Sequence, residues 1–272
     1  MKLLVRDVPH EVQFQKSNPQ QPVLVHIHGW GGSKRYWKGT VEHFQKDLST
    51  LTYDLRGFGQ SQAPDLGTSF DLKTYAEDLK EILDQLEIEK IYLNSHSTGA
   101  SIGLLFANRY PERVEKLILT CSGAYDYNKV AFELFYFFSR IVVGFRPSWL
   151  VNVPLAPFLF QQRFVHKSLP EPFPTEFLED YILCNQEAAM GTLYSSVSKY
   201  AAEELPKEFA QLKIPTLLFA GAYDQIIPEK LARKALAANP NMTFALMKQS
   251  GHFPMLEEPQ TYYAHIRDFL KL

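Results

Sequence analysis

Through its first half the chain alternates short, apolar, β-branched runs with longer amphipathic ones, and no other feature narrows the possible folds as much. Pro22 to His28 (PVLVHIH) ends at Gly29, and Leu48 to Leu55 ends in Arg56-Gly57-Phe58-Gly59. Each reads as a strand running into a loop. Leu72 to Leu86 carries apolar residues at a helical period behind Asp71, a good N-cap. Lys90 to Asn94 predicts another strand, Thr98 to Tyr110 a helix stopped by Pro111, and Val114 to Thr120 a further strand. Strands and helices in strict alternation predict βαβ units around a mostly parallel sheet.

The rhythm breaks after Ser122. From Tyr125 to about Pro206 aromatics are dense and prolines cluster between Pro147 and Pro174. Such a stretch is too long for a bare connection in a compact domain, so it reads as a largely helical insertion. Alternation then resumes, with strands at Ile214 to Ala220 and Met242 to Met247 and helices at Glu229 to Ala238 and Pro259 to Leu272. The expected organisation is a core formed by residues 1–124 and 207–272, with residues 125–206 as an inserted helical cap.

Composition removes several other classes. The chain has 272 residues, 46% of them hydrophobic and 21% charged, which suits a globular protein with a large core and argues against disorder. A formal net charge of -2, without a dense Lys and Arg cluster, speaks against nucleic acid as a partner. Only Cys121 and Cys184 are present, so a disulfide framework is excluded, and free thiols fit a reducing compartment. Lys2, Arg6 and Asp7 fall where a signal peptide needs an apolar run, so a cytoplasmic location is expected. Phe132 to Phe160 is apolar, yet Arg140, Arg146, Pro147, Pro154 and Pro157 interrupt it, leaving no run of the roughly 20 residues a membrane span needs. Loose contact with lipid and a greasy substrate slot both stay open.

Chemistry is suggested by Ser95-His96-Ser97-Thr98-Gly99, between a strand and a helix. A serine on a sharp strand-to-helix turn exposes its hydroxyl above the sheet, and the crowded backbone demands small residues two before and two after it. Ser95 and Gly99 satisfy that demand, and the helix N-terminus beside Ser97 favours developing negative charge. Ser97 could equally be a helix cap. With its neighbours, the turn resembles the nucleophile elbow of the α/β-hydrolase superfamily, usually Gly-x-Ser-x-Gly, with Ser95 replacing the first glycine. That resemblance implies a mostly parallel central sheet with helices on both faces and an inserted helical cap.

A serine hydroxyl needs a base to become a nucleophile. His252 lies in a loop between the last strand and the closing helix, where sheet enzymes mount chemistry, whereas His26 alternates inward, and His10, His43, His166 and His265 have no such context. The base needs a buried acceptor, and Asp224 follows the strand ending at Ala220. The resemblance implies this order of Ser, Asp and His; it also leaves Asp126, after the strand ending at Thr120, as a reserve acid. His28-Gly29-Trp30-Gly31-Gly32 resembles the family's His-Gly-x loop, implying an oxyanion hole from the backbone amides of Trp30 and Thr98, with His28, Gly29 and His96 in support. The loop lacks the ending and spacing of a nucleotide-phosphate motif. Asp54 to Ser61 resembles a structural loop of the superfamily, with Arg56 pairing beneath the site.

The implied reaction is acyl transfer on a small, mostly apolar ester or thioester, with no metal and no organic cofactor. Alternatives on the same resemblance are carbon–carbon bond hydrolases of ring-fission products, cofactor-free haloperoxidase-like esterases, and a slow-turnover ligand receptor. The oligomeric state is not expressed in any of these motifs.

Overall fold

A computed structural model describes residues 1–17, 20–62 and 68–272. The strands are β1 (Lys2–Val5), β2 (Val8–Gln15), β3 (Val23–Ile27), β4 (Thr50–Tyr53), β5 (Ile91–His96), β6 (Val114–Thr120), β7 (Thr216–Gly221) and β8 (Thr243–Met247). They form one sheet in the order β1-β2-β4-β3-β5-β6-β7-β8. From β4 across to β8 every pairing is parallel, while β1 and β2 pair antiparallel and β2 joins β4 antiparallel. Every residue of β5 and β7 is buried, which explains why Ile91 to Leu93 and Leu217 to Ala220 read as apolar runs rather than alternating ones.

The β1–β2 hairpin went unread in the sequence. Its turn is Arg6-Asp7, both at positive φ, so it lacks the Asn-Gly or Gly that usually announces a two-residue hairpin. Inward residues Val8, His10 and Val12 of β2 are buried, but the polar His10 among them and Pro9 beside it mask the strand. Strand β5 also runs past Asn94 to His96, carrying the chain directly to Ser97.

Helices cover both faces. They are α1 (Lys38–Phe44), α2 (Leu72–Gln85), α3 (Thr98–Arg109), α4 (Lys129–Gly144), α5 (Ala156–Gln161), α6 (Phe173–Leu183), α7 (Gln186–Ser196), α8 (Lys199–Gln211), α9 (Glu229–Ala238), α10 (Pro254–Glu257) and α11 (Pro259–Leu270). On one face Leu79 and Ile82 of α2, Phe106 of α3, Phe209 of α8 and Ala235 of α9 join a single core cluster. On the other, Phe44 of α1 and Tyr262 and Ile266 of α11 pack on Leu24, Ile118 and Phe219. Helices α4 to α8 all fall between β6 and β7. Residue 206 lies within α8, whose Ala201, Leu205 and Phe209 belong to the core cluster, as do Val143 of α4 and Ala188 and Ala189 of α7. Among the described residues no helix is long and apolar enough to cross a membrane.

Candidate active site

The site begins where strand order reverses. β3 has β4 on one side and β5 on the other, with Ile27 opposite Ser95, so the loops after β3 and β5 diverge from one point on the sheet edge. Ser97 sits there at φ 56, ψ -121, a conformation that costs a non-glycine residue about 1–3 kcal/mol. Its N–H donates to Thr120 O at 2.9 Å, which ties the strained turn to β6. Crowding explains the small neighbours. A Cβ at Gly99 would lie 2.4 Å from His28 O, and one at Gly29 would lie 2.9 Å from His96 Nδ1. Ser95 fits because the compensating space lies elsewhere: a Cβ at Gly103 would fall 2.5 Å from its Oγ, which donates to Ile118 O at 3.2 Å.

His252 Nε2 stands 2.9 Å from Ser97 Oγ, and its Nδ1 stands 2.7 Å from Asp224 Oδ2. All three residues are buried. Burial pushes the Asp224 carboxyl up, but the His252 charge and hydrogen bond, with the amides of Ile226 and Ile227, outweigh it and hold the group below its ordinary range. Those amides donate to Oδ1 at 2.7 and 2.9 Å, leaving Oδ2 for the imidazole. An ionised carboxylate at Nδ1 favours the tautomer whose Nε2 lone pair faces the serine hydroxyl. Asp126 does not share this position. Its side chain is exposed and paired with Lys234 of α9, and the acceptor at His252 Nδ1 is Asp224.

The resemblance assigned supporting places to His28 and His96, and their bonds are specific. His28 Nδ1–H donates to Gly29 O at 2.8 Å, and its Nε2 accepts from Leu55 N at 2.9 Å, joining the loop after β3 to the one after β4. His96 Nε2–H donates to the carbonyl of His252 at 2.7 Å. Burial lowers both imidazoles, and the neighbouring His252 lowers His96 further, so both are neutral at pH 7. Arg56 makes a buried two-pronged pair with Asp78 at 2.7 and 2.6 Å. Thr98 is the first residue of α3, so its N–H has no partner within the helix. The Trp30 indole donates to Ala189 O at 2.9 Å, tying the glycine-rich loop to α7.

Two groups that the sequence did not single out hold the His252 loop. Phe164 O accepts from His252 N at 2.6 Å. Glu257 Oε1 accepts from Gly251 N at 2.9 Å and Phe253 N at 3.1 Å, while its Oε2 accepts from His166 N at 2.6 Å. The one local hint is Gly251, where a Cβ would lie 2.7 Å from Phe164 O.

His96, Cys121 and His252 form the one grouping of metal-ligating atoms among the described residues, within 4.8 Å of one another. Both nitrogens of His252 and Nε2 of His96 are already committed, and burial, then Asp224, push the Cys121 thiol up, so the donor set suits a metal poorly. Above Ser97 lies a cavity of about 510 Å³ reached by Trp30, Thr98, His252 and the α4 residues Phe135, Phe138 and Val142. A wider depression of about 910 Å³, bordered by Asn108 and Lys213, has no serine, histidine or carboxylate in its lining.

An uncharacterised protein of Mycobacterium tuberculosis is 27% identical across 98% of this chain and 83% of its own length. A candidate carbamate hydrolase, RutD of Pseudomonas syringae pv. syringae, is 25% identical across 92% of this chain and 93% of its own. An esterase from Exiguobacterium antarcticum shares the fold, with a TM-score of 0.81 at 20% identity over 100% of this chain and 99% of that one. Residues 22–259 match the family described as the alpha/beta hydrolase fold, and the chain belongs to that family.

Proposed function

We propose that this protein is a serine hydrolase that cleaves a carboxylic ester or thioester with a hydrophobic moiety through an acyl-enzyme on Ser97. The observation that carries the reading is the unbroken chain of contacts from Ser97 Oγ to His252 to Asp224, 2.9 and 2.7 Å long, beneath an apolar cavity. In this mechanism Ser97 Oγ attacks the carbonyl carbon while His252 Nε2 takes its proton. Asp224 stabilises the imidazolium, and the amides of Trp30 and Thr98 hold the oxyanion, each worth roughly 3 kcal/mol. Collapse expels the alcohol or thiol with the proton from His252. A water then gives its proton to His252 and attacks the acyl carbon, releasing the acid and restoring Ser97.

Aromatic residues on the cavity wall favour an apolar acyl or alcohol part. In the same reading, residues 125–206 serve as a cap that shapes this wall. Buried free thiols at Cys121 and Cys184 support a reducing, cytoplasmic setting. The relative named as a candidate carbamate hydrolase favours a second reading, in which the carbonyl bears nitrogen and the same residues act. A panel of p-nitrophenyl esters of increasing chain length, matched thioesters and carbamates, and Ser97→Ala tests these readings. The expected result is an optimum on medium or longer acyl esters and a loss of about a millionfold in Ser97→Ala, roughly 8 kcal/mol of barrier. Most activity surviving in Ser97→Ala contradicts the proposal, and preference for the carbamates selects the second reading.

A further inference from the structure

Helix α4 is turned inside out. Of its sixteen residues only Ser139 and Val143 are buried, although most are apolar. Val130, Leu134, Phe137, Ile141 and Phe145 recur at helical spacing and stand 53 to 66% exposed, and Trp149 continues the patch at 57%. Two of its polar side chains reach back into the fold: the Tyr136 hydroxyl donates to Val197 O, and Arg140 Nε donates to the Tyr194 hydroxyl of α7 at 2.9 Å, while Lys129 and Glu133 pair with each other at the exposed first turns. A contiguous exposed apolar face of this kind marks an interaction surface.

The adjoining stripe of α4 shows what covers that face. Phe135, Phe138 and Val142 line the cavity above Ser97 and are themselves exposed, so the cavity opens on the side where the outer stripe stands. A second copy or a protein partner seated there would close the route to the nucleophile. A fluid apolar phase would leave it open and would supply the hydrophobic chain the cavity suits. α4 is too short to span a bilayer, about 24 Å from its length, and suits lying in the interface plane.

We propose that the outer face of α4, continued by Phe145 and Trp149, rests on a lipid surface, from which the substrate enters the cavity. This proposal rests on the reading of that cavity as the substrate site. Its test is therefore made on Ser97→Ala protein, where binding is measured without turnover. In flotation with phosphatidylcholine vesicles, the full-length Ser97→Ala chain is expected to rise with the lipid, whether or not salt is added. Adding Phe137→Ser, Phe145→Ser and Trp149→Ser, none of which line the cavity, is expected to lower partitioning at least tenfold. The same three changes in the active protein should leave turnover of a short, soluble ester within twofold of the parent. Should that variant fail to fold, Trp149 reports in the parent itself, by a blue-shifted emission that brominated phosphatidylcholine quenches. A parent that stays at the bottom of the gradient overturns the proposal, as does triple-variant flotation equal to the parent's. A dimer seen by light scattering, lost in the triple variant and formed in place of vesicle binding, overturns it in favour of a second copy. Activity surviving in Ser97→Ala, with flotation intact, would instead strike the catalytic reading and leave the lipid surface standing.

Discussion

Ser97 is held by its neighbours' lack of bulk, and one of those neighbours lies beyond the elbow, inside α3. At the first elbow position Ser95 is accommodated because Gly103, in the second turn of α3, leaves room for its hydroxyl. Gly103→Ala is expected to destabilise the fold by about 1–3 kcal/mol through overpacking, although alanine is the better helix former. Adding Ser95→Gly should recover most of that loss, because the two changes act on one contact. Equilibrium urea denaturation of the two single variants and the double checks this, and strict additivity would contradict it. Ser97, His252 and Asp224 were legible in the sequence because each residue type follows its own strand in an interpretable loop. The Ser95 and Gly103 compensation was not, since it depends on how α3 packs over β5.

Among the elements, the loop carrying His252 depends on a segment far from it in sequence. Glu257 of α10 binds the amides of Gly251 and Phe253 with one oxygen and that of His166 with the other, joining this loop to the segment between α5 and α6. It touches neither Ser97 nor the cavity, so it is a positioning residue. Glu257→Ala is expected to lower kcat about tenfold or more, near 1.4 kcal/mol, with little change in KM, because the imidazole loses its aim while the apolar walls remain. Glu257→Gln, which keeps one carbonyl acceptor, should fall between the two. Steady-state kinetics on one soluble ester measure this, and a change confined to KM would contradict it. The central parallel strands were legible because each carries a run of buried apolar residues, Leu24-Val25 in β3, Ile91 to Leu93 in β5 and Leu217 to Ala220 in β7. The β1–β2 hairpin was hidden by its Arg6-Asp7 turn and by His10 at an inward position. Helix α8 was hidden by Pro206, which sits inside it.

For the whole molecule, three histidines packed within one sheet and its loops set the response to acid. Burial lowers His26 to about 3, lowers His28, and with His252 lowers His96. Below pH 6.5 the unfolded chain gains protons that these folded imidazoles refuse, so stability is greatest above 6.5 and falls with pH, by about 1.4 kcal/mol per unit for each group. The depressed Asp224 adds a further loss once the pH drops below the ordinary carboxylate range. Urea midpoints should therefore hold steady between pH 7 and 8 and decline below 6.5, and His26→Asn should flatten that decline. Constant midpoints down to pH 5 would contradict the account. These groups converge only because a mostly parallel sheet brings strand ends from both halves of the chain to one edge, and the chemistry proposed for the site requires that convergence to activate a single hydroxyl. The most direct measurement is covalent: treat the protein with a fluorophosphonate, digest it and locate the adduct by mass spectrometry. Stoichiometric modification of Ser97 alone is expected, slowed at least a thousandfold in His252→Ala. Modification of another serine, or equal labelling in His252→Ala, would contradict it.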